Sequence, residues 1–79
     1  MKTNHASDLT KTFLERNAQR VSQATTKEEV TYYAWYAMGS IWAFSMCEEI
    51  SISDRQLWLR HIQSLEAKRK AELSQGGDR

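Results

Sequence analysis

Four sets of side chains in this sequence are of types that do chemistry. Cys47 and His61 are the residue types of a thiol nucleophile and its general base. Glu48 and Glu49 stand beside Cys47, however, where a thiolate would want cations. The expected role is a buried structural cysteine at a helix end. His61 reads as a half-buried histidine on an apolar helix stripe. The two histidines lie 56 positions apart, and with one cysteine no spacing fits a zinc site or an internal disulfide. Glu48, Glu49 and Asp54 are near enough in sequence to attract a cation, but their spacing matches no calcium loop. A solvated acidic patch is the expectation. Neither a G-x-G-x-x-G nor a Walker-type loop is present. The expectation is therefore a protein that is not an enzyme, with no metal and no cofactor.

Phosphate binding would fall to Arg60, Lys68, Arg69 and Lys70, with Arg55 upstream. The overall balance of 11 basic and 10 acidic residues is not that of a nucleic-acid coat. Charge is nevertheless uneven along the chain. Residues 1–26 carry four basic and two acidic side chains, residues 27–54 one and five, and residues 55–79 six and three. The basic residues of the last segment do not share one helical face. A solvated charged helix is the expected use, and a nucleic-acid-associated homodimer is the alternative. The aromatic residues are the fourth set. Eight of the 79 residues are aromatic, and six of them fall between Tyr32 and Phe44. Tyrosine and tryptophan are the side chains most often used as binding anchors.

The elements that position these residues are helices. The chain has no proline and only three glycines, which removes most turn and hairpin chemistry. With 41% hydrophobic and 27% charged residues it has ordinary globular composition, and at 79 residues it holds one domain. A first helix is expected over about 8–24, capped near Ser7 or Asp8, with Leu9, Phe13, Leu14, Ala18 and Val21 on one stripe. Lys11, Glu15, Asn17 and Gln19 take the opposite face. Thr26-Lys27-Glu28-Glu29 fits a capping box and opens a second helix over 27–49. Ser53-Asp54-Arg55-Gln56 is a second box, with Ile52 and Leu57 as a hydrophobic staple. It opens a third helix over 54–73 with Leu57, Trp58, His61, Ile62 and Leu65 as its stripe. Residues 76–79 are expected to be a flexible tail.

The second helix holds 18 residues, Val30 to Cys47, without one charge. Val30, Ala34, Ala37, Ile41, Phe44 and Ser45 share one face, and Trp35, Met38, Trp42 and Met46 share another. A helix apolar nearly all round must be buried nearly all round. Two neighbouring helices are too few to do that, which favours self-association or a bound partner. A membrane span is the other use of such a run. Against it stand the absence of leucine, the hydroxyls of Thr31, Ser40 and Ser45, and aromatics scattered throughout instead of at the two ends. Gly39 costs about 1 kcal/mol of helix propensity relative to alanine. Close packing of a neighbouring helix would explain it, as would a kink or a crossing point in a dimer.

The fold class that follows is all-α, a three-helix hairpin-type bundle with a long, aromatic-rich central helix, as a homodimer. So small a core leaves the monomer marginal. No apolar signal segment follows the first residues, and the free cysteine suits a reducing compartment, so the expected location is cytoplasmic. Tyr32, Trp35, Tyr36 and Trp42 are the expected exposed, partner-binding face.

The stretch from Tyr36 to Leu65 resembles the ANR family of small bacterial and phage negative regulators. Trp42-Ala43, the Ser51–Asp54 turn, and Asp54-Arg55-Gln56-Leu57-Trp58 with Arg60 carry the likeness. Trp58 stands one position out of the family spacing, and a cysteine that often ends the family pattern is missing. The resemblance implies a protein that binds and restrains a transcription factor. With the aromatic helix, it leads to the expectation of a small regulator or inhibitor of phage, prophage or plasmid type that binds another protein.

Overall fold

A computed structural model of the chain describes residues 3–77, with side chains over 8–75. It contains three helices, α1 (Thr3–Gln23), α2 (Lys27–Met46) and α3 (Ile52–Gly77), and no strand among the described residues. They pack up-down-up into a rod 52 Å long and 17 by 15 Å across. The central α2 packs about equally on α1 and α3, and α1 meets α3 more sparsely.

The core is narrow. Leu14, Ala18, Val21 and Ala24 of the first hairpin arm face Val30, Ala34, Ala37 and Ile41 of α2, and Ile62 closes the layer from α3. These positions step by three and four along α1 and α2, the spacing of a helix seam. Four of the nine are alanines, so the helices approach closely but bury little. Phe13 meets Phe44 edge to face at 5.6 Å between ring centres and extends the α1–α2 contact toward solvent.

Several expectations need correction. The α1 stripe is rotated: Asn17 and Thr10 are buried, while Leu9 is exposed. Leu14, Ala18 and Val21 of the expected stripe are buried, and Thr10 and Asn17 complete the seam in place of Leu9. The α1 start expected near Ser7 or Asp8 is earlier, at Thr3. On α3, Leu57 and His61 are exposed, and Ile62, Trp58 and Leu65 carry the packing. The α3 cap is Ser51, whose Oγ accepts from the Asp54 N–H at 3.0 Å. Ser53 is not the cap, and no staple forms, because Ile52 and Leu57 are both exposed. Ile50, just before the cap, packs on the core instead. This contact selects between two locally equivalent serines. At its other end α3 runs on through Gly77, past the expected end at residue 73, while Asp78 and Arg79 of the expected tail lie outside the described residues.

The end of α2 also differs from the expected residue 49. Glu49 N–H donates to Phe44 O at 2.8 Å and Glu48 N–H to Ser45 O at 3.0 Å. Glu48 takes a left-handed φ of 63°. Together these make a Schellman stop. It keeps the Glu48-Glu49 pair off the last turn, where the negative end of the helix dipole would repel it.

The start of α2 is as expected at Thr26. Its Oγ1 accepts from Glu29 N–H at 3.1 Å, and its backbone is extended. The returning arm reaches one residue further than a standard box. Glu29 Oε1 accepts from both the backbone N–H and the hydroxyl of Thr25, each at 3.0 Å. These bonds hold the Glu29 carboxyl below its ordinary value, the Thr25 backbone bond being the largest cause.

Candidate functional site

The outward side of α2 carries the least ordinary surface of the molecule. The buried residues Val30, Ala34, Ala37 and Ile41 use one side of the helix. On the other, Tyr32 is 65% exposed, Trp35 69%, Tyr36 46%, Trp42 46% and Met46 80%. All four aromatics expected at the surface are there. Together with Met46 they offer roughly 600 Å² of apolar and aromatic surface, taking about 150–250 Å² for each large side chain. That lies at the upper edge of the largest patch on an ordinary monomer.

Two contacts hold this face in place. The Arg55 guanidinium stacks 4.3 Å from the centre of the Trp42 ring, and its Nη1 donates to Ser45 Oγ at 3.1 Å. Arg55 thus ties the start of α3 to the edge of the aromatic face. Its Nε is buried without a partner. Tyr32 leans edge to face against Tyr33 at 5.3 Å, and Tyr33 packs on the core.

Gly39 sits at the middle of the face. A Cβ built on it meets nothing within 4 Å. Close packing of a neighbouring helix within the chain is therefore not its purpose. The Ser40 hydroxyl bonds back to Tyr36 O at 3.0 Å, which occupies that side chain within the helix.

The other candidate sets are not gathered into sites. Cys47 caps the end of α2 and is exposed, not buried as expected. His61 lies about 13 Å along α3 from that helix's first residue, at 1.5 Å per residue, and no hydrogen bond joins it to Cys47. It rests edge to face on Trp58 at 5.8 Å. Among the described residues no group of three His, Cys, Asp or Glu side chains is placed to hold a metal ion. Glu49 accepts from the Thr10 hydroxyl at 3.3 Å and so serves the α1 contact.

Of Arg60, Lys68, Arg69 and Lys70, the residues expected to meet phosphates, two are engaged within the chain. Arg69 Nε donates to Ala24 O at 2.8 Å and its Nη1 pairs with Glu72 at 3.0 Å. Lys70 pairs with Glu66 at 3.0 Å. Arg60 and Lys68 are exposed and have no ion pair among the described residues. Sequence reasoning missed the structural use of Arg69, which satisfies a carbonyl at the end of α1. No local signal points to a partner 45 positions away. No described helix is long and apolar enough to cross a membrane. No protein-family model, curated protein or solved structure matches the chain.

Proposed function

We propose that this is a small non-enzymatic regulatory or inhibitory protein, of phage, prophage or plasmid type, acting in the cytoplasm by binding another protein. The single observation that supports the reading is the exposure of Tyr32, Trp35, Tyr36 and Trp42 on one uncharged helix face. Rigid aromatic side chains give large contact area at low cost in side-chain entropy, and they dominate interface energies. Such a face reads as a helix that docks into a groove. Occlusion of that groove is the inhibitory act. The likeness of residues 36–65 to the ANR regulators points in the same direction, toward a transcription factor as target.

The test uses the tagged chain as bait in an extract, with Trp35→Ala and Trp42→Ala as controls. Trp35→Ala is the cleaner variant, because Trp42 also supports Arg55. The expected result is loss of the captured protein with helicity retained by circular dichroism. Capture that survives both substitutions, or unfolding of both variants, overturns the reading.

A further inference from the structure

Trp35, Gly39, Trp42 and Met46 step by four, three and four along the outward side of α2. This is a second helix seam, opposite the one that packs in the bundle. The order 4-3-4 is unchanged when the helix is reversed. An antiparallel copy of the same helix therefore meets it position for position. Its midpoint lies between Ser40 and Ile41, so Gly39 faces Trp42 of the other copy and Trp35 faces Met46. Large falls on small at the centre, and aromatic on thioether at the flanks, a favourable contact for methionine.

We propose that this seam is closed by a second copy of the chain, antiparallel, with each Trp42 lying over Gly39 of its mate. The proposal rests on the reading of the aromatic face as a docking surface, and it names the occupant in the unliganded protein. A target that uses the face must displace the second copy.

Three observations select this occupant and direction. Gly39 has no neighbour within 4 Å inside its own chain, so a large side chain from a second copy can lie against the backbone there. A parallel pair would set tryptophan on tryptophan and glycine on glycine. It would also bring Glu28 against Glu28 and Glu48 against Glu48, whereas the antiparallel pair offsets these ends. The whole exposed face, the seam together with Tyr32 and Tyr36 beside it, offers roughly 600 Å² per chain, and covering all of it on two copies gives about 1,200 Å², the lower edge of a stable standard interface.

The test is the solution mass of the purified full chain by light scattering across dilution. Twice the monomer mass of 9.2 kDa is expected, falling toward the monomer as the protein is diluted. Gly39→Leu fills the slot for Trp42 but meets open space in its own fold, and leucine is the better helix former. It is expected to keep its helicity and to scatter as a monomer at every concentration. Should that variant misfold, Met46→Glu at an 80% exposed position is expected to weaken pairing at least tenfold. Direction is read from Cys47, which lies about 20 Å from its mate along the antiparallel axis at 1.5 Å per residue and beside it in a parallel pair. Mild oxidation with copper–phenanthroline should leave no covalent dimer.

A monomeric wild type, a folded Gly39→Leu dimer of unchanged strength, or a rapid Cys47 disulfide overturns the proposal. A monomer that still loses its captured protein with Trp35→Ala overturns the pairing alone. A dimer whose capture ignores both tryptophans overturns the docking reading alone.

Discussion

Glu48 shows how a single residue can end a helix at a cost. Its backbone sits in the left-handed region at φ 63°, the place where Schellman stops usually put glycine. A side chain there costs about 1 kcal/mol or more. Glu48→Gly is therefore expected to stabilise the fold by about 1 kcal/mol, raising the thermal midpoint by roughly 4–8 °C for a domain this small. Scanning calorimetry of the two proteins checks it. Glu29 gives a pH-dependent counterpart. The Thr25 bonds favour its ionised form, so its folded value lies below the ordinary 4.5. The unfolded chain then takes up the proton first. The cap's contribution is present above the ordinary value and is lost as pH falls through the depressed one. Helix content of wild type should drop in that acid window, and Glu29→Gln should remove this part of the drop. An acid titration followed by circular dichroism distinguishes the two.

Among elements, α3 is the instructive case. Its apolar residues offer two registers, one through Leu57 and His61 and one through Trp58, Ile62 and Leu65. The packed bundle uses the second. Ile62 is fully buried and Leu57 is 60% exposed. Ile62→Ala is expected to cost about 2–5 kcal/mol, which approaches the whole stability of a domain with so small a core. Leu57→Ala should change stability by no more than about 0.5 kcal/mol. Urea unfolding of the two variants measures the difference, and similar losses would mean that α3 packs in the other register. The α1 stripe went the same way. Thr10 and Asn17 occupy seam positions that composition assigns to solvent, and the Asn17 Nδ2 is buried without a partner. Alanines across the seam bring the backbones close enough to seal polar side chains inside.

For the whole molecule, the decisive quantity is surface. Two helices, α1 and α3, bury one side of α2 and leave the other bare, so the chain is an elongated rod with an aromatic strip along its middle. If a second copy covers the strip, unfolding is linked to dissociation. The thermal midpoint of the wild type then rises with protein concentration, while that of Gly39→Leu does not. Differential scanning fluorimetry over a hundredfold range of concentration measures this directly. A midpoint independent of concentration in both proteins would show that the strip is bare in solution.

The sequence by itself determined the helical class, the approximate span of each helix, and that a surplus of aromatics on the second helix stays outside. Those follow from local quantities: the absence of proline, the Thr26 cap, and an uncharged run with too many rings for two neighbours to cover. Tertiary structure decided which serine caps α3, which stripe of α1 and α3 turns inward, and what the charged residues of α3 do. Each of these is a choice between locally equivalent options. Ser51 and Ser53 cap equally well, and Arg69 carries no local sign that it will reach Ala24. Only the shape of the packed bundle, with Ile50 on the core and alanines drawing α1 onto α2, makes one option lower in free energy than the other.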